Sequence, residues 1–282
     1  MTSRALDHLV LPTASLDAAR ERLTRMGFTV APEGVHPFGT ANACVYFPGG
    51  SFLEALALRD AAAAAEAISH GNVFVARDHV FRAMRGEEGL SAVVLASEDA
   101  DRDHAMFAAA DISGGDLLAF SRQSADAAGR AGTASFRLAF AADVETADAF
   151  LFTCQRVDVP SIDRSSLETH ANGVTGIREI IVDAKAASFL RVAERAAGGT
   201  GEEVPAMVEL SNVLLRLATR DDPAPVGETG STLAAIVFCV DDLAQAAAAL
   251  RTGGIVHSAE ASGLVVPPAP GQGAIFIFRS AN

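Results

Sequence analysis

The chain lacks a positive surplus: 22 Lys and Arg stand against 35 Asp and Glu, a formal net charge of −13. A nucleic-acid binder shows a basic face, so this balance argues against one. It also gives no electrostatic reason to sit on an anionic membrane. Lysine is nearly absent, with Lys185 the only one, and together with the abundance of Ala this reads as coding bias. Cysteine is scarce: Cys44, Cys154 and Cys239 lie far apart in apolar runs, with no CxxC spacing. A disulfide framework and a Cys-rich zinc site are thereby excluded, and small buried hydrophobes in a reducing cytoplasm are expected. No apolar run reaches the roughly 18 residues of a membrane span. "MTSRALDHLVL" lacks the charged segment and long apolar stretch of a signal peptide, so a cytoplasmic location is expected. GxSxG, HExxH and Walker-type loops are also missing; "GGTGEE" follows a helix instead of joining a strand to one.

What is present is a repeated unit. Half of the 282 residues are apolar, enough for a substantial core, and the length suggests about two domains. "LDHLVLPTASLDAARERLTRMGFTV" and "LAAIVFCVDDLAQAAAALRTGGIVH" each read as strand, polar cap, helix, Gly and strand. In the first, Ser15 is the expected cap, Leu16, Ala19, Leu23 and Met26 form the apolar stripe, and Gly27 ends the helix. In the last, Asp241 is the expected cap and Gly253 the end. "LSAVVLASEDADRDHAMFAAADI" and "IREIIVDAKAASFLRVAERAAGG" share the pattern, and strand-rich stretches follow each helix.

The expected fold is therefore α+β, built of four β-α-β-β-β units at about residues 5–58, 90–155, 174–219 and 232–280. Residues 59–89 fit no unit and read as a helical insert. The expected halves are 1–155 and 174–282, joined by a polar linker at 156–173.

Alternation along strands puts His8 among apolar neighbours Leu6 and Val10, and Glu54 among Phe52, Leu56 and Leu58. An unpaired buried carboxylate costs several kcal/mol or becomes protonated, so Glu54 needs a partner: a metal, a ligand or an Arg. "GVHPFGTAN", residues 34–42, carries more chemistry than a turn requires. Its His36 can overhang the same face, with Asn42 hydrogen-bonding across the loop. A satisfied core histidine at His8, and His36 and Asn42 as plain loop anchors, remain open beside a pocket. One carboxylate and two imidazoles suit a divalent transition metal. His70, His79, His104 and His257 read as surface residues.

"LDHLVL", "GVHPFGTAN", "SFLEALAL" and "FTCQRVDVP...ETHANGVTGIREIIV" occur in an order that resembles the vicinal oxygen chelate superfamily, in particular its glyoxalase-like proteins of four units. The resemblance covers nearly the whole chain. It implies units paired into two half-open barrels of the glyoxalase/bleomycin resistance/dioxygenase type. It implies metal ligation by His8 and Glu54, with Glu54 catalytic, and a divalent Zn, Ni, Mn or Fe ion. His36, Asn42, Gln155 and His170 become substrate-binding candidates. The departures are plain: Ala92, Glu179 and Ala235 align with His8, Phe152 falls near the place of Glu54, and Arg156 stands where a His is expected. The function implied is small-molecule binding, with metal-dependent lyase, isomerase or dioxygenase chemistry; the alternative is a metal-free binding protein. A small molecule is the expected partner, with a homodimer as an option.

Overall fold

Three segments of the chain lay down the same elements in the same order, and a fourth does so with one strand fewer among the described residues. The computed structural model describes residues 4–125, 131–158, 163–201, 203–223, 226, 230–261 and 263–281. The first unit is β1 (Leu6–Pro12), α1 (Leu16–Arg25), β2 (Gly34–Val35), β3 (Thr40–Tyr46) and β4 (Phe52–Leu58). Helices α2 (Ala61–Ser69) and α3 (Val73–Arg85) follow. The second unit is β5 (Ala92–Ser97), α4 (Ala100–Ala109), β6 (Leu118–Ala125), β7 (Ala131–Ala141) and β8 (Phe150–Asp158). The third is shorter, with β9 (Val174–Val182), α5 (Ser188–Ala196), β10 (Met207–Glu209) and β11 (Leu214–Leu217), so it has one strand fewer among the described residues. The fourth is β12 (Leu233–Val240), α6 (Leu243–Thr252), β13 (Ser258–Glu260), β14 (Gly263–Val266) and β15 (Ile275–Ser280). Of the linker expected at 156–173, residues 159–162 lie outside the described residues.

The helix ends follow local chemistry. The Ser15 side chain accepts from Ala18 N, the stripe of Ala19, Leu23 and Met26 is buried, and Gly27 leaves the helix at φ +90°. At α6 the cap is Asp242, one residue later than expected, because its extended backbone lets the carboxylate accept from Ala244 N at 2.7 Å. Gly254, not Gly253, takes the left-handed conformation there, at φ +64°. Gly253 serves close approach instead: a Cβ on it would sit 1.7 Å from Arg25 O of α1.

The units pair into two sheets. One has eight strands in the order β2-β3-β4-β1-β5-β8-β7-β6, the other seven in the order β10-β11-β9-β12-β15-β14-β13. In each sheet the first strands of two units form an antiparallel central pair, β1 with β5 and β9 with β12. Each first strand also pairs in parallel with the last strand of its own unit. Helices α1, α4, α5 and α6 and the outer faces of both sheets share one apolar core, in which Leu23, Phe107, Phe189 and Leu250 are fully buried. The inner face of the eight-stranded sheet carries a separate cluster with Val10, Leu56, Phe74 and Phe152. Its end strands β2 and β6 come together and nearly close a barrel.

One irregularity shapes this inner face. The register of β1 on β5 runs Leu6↔Leu95 and then His8↔Val94, which leaves Asp7 as the extra residue of a β-bulge. Leu6 therefore packs into the helix-side core, and does not share the face of His8 and Val10 as strict alternation predicts.

Candidate functional site

The sheet curls around a cavity whose inner end is polar and whose walls are aromatic. Its volume is about 80 Å³, on the order of six water-sized volumes. His8 of β1 and Glu54 of β4 share the floor, His8 Nε2 lying 3.4 Å from Glu54 Oε2. Strands β1 and β4 are parallel with His8 opposite Phe52, which places Glu54 two residues further along the same face. The Asn42 amide of β3 donates to Glu54 Oε1. His36 Nε2 is 3.7 Å from that oxygen.

The motif "GVHPFGTAN" now has a role for most of its residues. Gly39, at φ +84°, makes the turn, and a Cβ there would meet Asp60 O at 2.5 Å and Ala64 N at 2.6 Å. Thr40 Oγ1 lies 2.9 Å from His36 Nδ1. The Asn42 amide, 3.4 Å from His36 Nε2, can only donate, so Nε2 is the accepting nitrogen and Nδ1–H donates to Thr40. Phe38 stacks on His36, with centroids 5.1 Å apart. Phe74 of α3 and Phe120 of β6 meet the same imidazole edge-on, so the helical insert supplies part of the wall.

Asp7 is the residue the sequence conceals. The bulge turns its carboxylate onto His8, whose Nδ1 donates to Asp7 Oδ1 at 2.6 Å. Arg156 of β8 donates to the same carboxylate, 2.8 Å from Oδ2. His8 lies flat on Phe52, with ring centroids 4.4 Å apart.

These contacts set the charges. Burial opposes charge on His8, but hydrogen bonds to Asp7 and Glu54 and their negative charges outweigh it and raise its pKa. Burial likewise opposes charge on Glu54, but the hydrogen bond and charge of His8, with help from Asn42, hold it down to about 2. His36 is pushed down to about 4, chiefly by burial, and is neutral. Cys44 is pushed up to about 12 by burial, and burial raises Cys154 as well, so both thiols are inert. Asp7 and Glu54 thus carry negative charge, and His8 and Arg156 positive.

Gln155 and His170 lie elsewhere. Gln155 Oε1 accepts from Ala100 N at the start of α4, and its amide donates to Glu98 O at 2.7 Å. His170 accepts from Thr29 N on Nδ1 and donates from Nε2 to Tyr46 O at 2.9 Å, which ties the inter-sheet connection to the first unit. Arg122 of β6, Arg156 and Arg164 do line the cavity. Strand alternation could have found two of them: Arg122 follows Phe120, and Arg156 follows Phe152 and Cys154, at every second position.

The donor set can be compared with the metal that the fold implies. Asp7 on His8 Nδ1 leaves Nε2 facing Glu54, an orientation that suits a metal-ligating His. The remaining positions do not suit one. The second unit repeats the register, with Ala92 opposite Phe150, so Ala92 occupies the place of His8 and Phe152 that of Glu54. The lone pair of His36 faces the Asn42 amide. Among the described residues, no three His, Cys, Asp or Glu form a group that could hold a metal ion. Two convergent donors are too few to define a resident metal centre.

Paired β-α-β-β-β units, two of them curled around a cavity, define a protein of the vicinal oxygen chelate fold. The chain belongs to the glyoxalase-like domain family, whose model matches residues 6–199. Among solved structures it is similar to a hypothetical protein from Staphylococcus aureus, at 14% identity and TM-score 0.66 over 98% of this chain and 99% of that one. It is also similar to a mutant of 4-hydroxymandelate synthase from Streptomyces coelicolor, at 11% identity and TM-score 0.56 over 99% and 93%. A fusion of a xylose isomerase-like TIM barrel with 4-hydroxyphenylpyruvate dioxygenase matches at 13% identity and TM-score 0.50, over 99% of this chain and 49% of that one. No curated protein matches the sequence.

Proposed function

We propose that the N-terminal barrel binds a small molecule with an apolar body and two neighbouring oxygens, and moves a proton on it through His8 and Glu54. The observation that carries this reading is the polar pair at the floor of an aromatic cavity, His8 Nε2 at 3.4 Å from Glu54 Oε2. His8, held charged, can donate from Nε2 to a ligand carbonyl oxygen. Glu54, held ionised, can take a proton from the adjoining carbon or hydroxyl. A ligand oxygen placed between them separates the pair. Burial, the largest influence on Glu54, then goes less opposed, and the carboxylate becomes a stronger base. The carbonyl gains the proton of His8 and the neighbouring carbon loses one to Glu54, leaving an enediol that collapses when the protons return. Asn42 steadies Glu54 throughout.

A metal-free binding protein using the same residues as hydrogen-bonding groups is the reading without turnover. A metal-dependent lyase, isomerase or dioxygenase is a further reading, favoured by the orientation that Asp7 gives His8. The test is hydrogen–deuterium exchange at the carbon beside the carbonyl in a panel of aryl hydroxy-ketones and keto-acids, followed by NMR. Protein freed of metal by chelator is compared with the Glu54→Gln variant and with Zn²⁺-, Mn²⁺- or Ni²⁺-loaded protein. Exchange by the chelated wild type that the variant loses supports the proposal. Binding without exchange leaves the binding-protein reading, exchange only with metal supports the metal reading, and no binding defeats all three.

A further inference from the structure

We propose that the ligand of this cavity is a carboxylic acid, its carboxylate held at the cavity mouth by Arg122 and Arg164; this rests on the small-molecule reading above. The charges at the floor already balance, since Asp7 and Glu54 face His8 and Arg156. Arg122 and Arg164 add two more positive charges to the cavity lining, and among the described residues neither forms an ion pair. That is against the composition of the chain, which has 35 acidic residues for 22 basic ones.

Both guanidiniums are held in place by something other than an acid. Arg164 rests over the Tyr46 ring, its Cζ 4.5 Å from the centroid. Arg122 lies 5.8 Å from the Phe136 centroid and fits against the backbone of Gly34, where a Cβ would come within 2.1 Å of Nη1. Gly34 is not in the left-handed region, so what it supplies is space for this side chain. Both Arg residues are half-buried, whereas His8, His36 and Glu54 are buried, so the cations stand nearer the opening. A ligand whose apolar body lies along the aromatic walls, with its far end at the polar floor, brings a trailing carboxylate to the two guanidiniums. Arginine matches a carboxylate with paired, charge-assisted hydrogen bonds.

Isothermal titration calorimetry tests this with 3-phenylpropionate and its neutral amide, on wild type, on the Arg122→Gln/Arg164→Gln double variant and on Gly34→Ala. In wild type the acid should bind at least about tenfold more tightly than the amide, as charge-assisted pairing predicts. The double variant should lose that preference and keep its affinity for the amide. Gly34→Ala, which leaves every charge in place, should lose part of the preference by displacing Arg122. Acid and amide binding equally well to wild type overturns the carboxylate assignment alone, as does a double variant that weakens both equally. Neither probe binding wild type overturns the small-molecule reading along with it. Circular dichroism confirms that the variants fold. Should the double variant not fold, the salt dependence of wild type decides: affinity for the acid should fall with added NaCl while that for the amide does not, and no difference refutes the assignment.

Discussion

Arg216 stands in the seven-stranded sheet where Glu54 stands in the eight-stranded one. The register shows it: Glu179 lies opposite Leu214 as His8 lies opposite Phe52, and Arg216 and Glu54 each come two residues later. The second half thus carries a Glu–Arg pair where the first has a His–Glu pair, Arg216 Nε donating to Glu179 Oε2 at 2.7 Å. Asp222 closes over it, accepting two bonds of 2.7 Å from Arg216. A satisfied ion-pair network offers a ligand little, which leaves the proposed chemistry to the first half.

Replacement of Glu54 by Gln removes one of the two carboxylates that hold the proton on His8. The pKa of His8 should fall, read as the pH midpoint of its imidazole resonances by NMR. Stability should drop by about 1–3 kcal/mol in urea denaturation, the usual cost of losing a buried charged hydrogen-bond partner. An unchanged His8 titration would show that Glu54 does not hold that proton.

His36 makes the protein acid-sensitive. Its pKa in the folded state, about 4, lies below the unfolded value of 6.5, so the unfolded chain binds the extra proton between those limits. Stability should therefore fall as pH drops from about 6.5 to about 4. The Glu54 carboxylate adds a further loss from about 4.5 toward about 2. His8 has the opposite sign, its contribution being lost as pH rises through its raised pKa. In His36→Gln the loss between pH 6.5 and 4 should be smaller than in wild type, measured as unfolding free energy against pH. Parallel curves would contradict the assignment.

Gly39→Ala combines a left-handed backbone with a Cβ pressed against α2. At φ +84° the strain alone costs about 1–2 kcal/mol. Contacts of 2.5 and 2.6 Å to Asp60 O and Ala64 N add to it. We expect a loss of at least about 2 kcal/mol in urea; a loss under about 0.5 kcal/mol would mean that the turn relaxes freely.

Gln155→Ala should destabilise without touching ligand binding. It removes bonds to Ala100 N and Glu98 O, costing about 1–2 kcal/mol. Affinity for any ligand of the cavity should stay within about twofold of wild type, because additivity holds for sites without shared partners. A tenfold loss of affinity would bring Gln155 back as a ligand contact.

Much of this was readable from residue order. Strand alternation singled out His8 and Glu54, and the surplus of chemistry in "GVHPFGTAN" singled out His36 and Asn42; the structure brings these four to one floor. Asp7 was hidden because alternation sends the neighbour of His8 to the opposite face, and only a bulge, set by pairing with β5, turns it back. Polarity near strand ends points to Gln155 and His170, but each spends its hydrogen bonds on backbone. The aromatic wall draws on β6, β7 and α3, elements distant from His8 in sequence, and no local pattern announces that they converge.

The seam between β2 and β6 has a mechanical meaning. The two strands end the sheet order and, among the described residues, are not ladder partners; Arg122 of β6 lies against Gly34 of β2 there. Parting that seam breaks no ladder hydrogen bond between the two strands. Strands β1 and β4, which carry His8 and Glu54, are each bonded to a neighbour on both edges, whereas β2 and β6 are bonded on one, so the polar floor rests on the most firmly held strands of the sheet and the seam falls at its weakest-held ones.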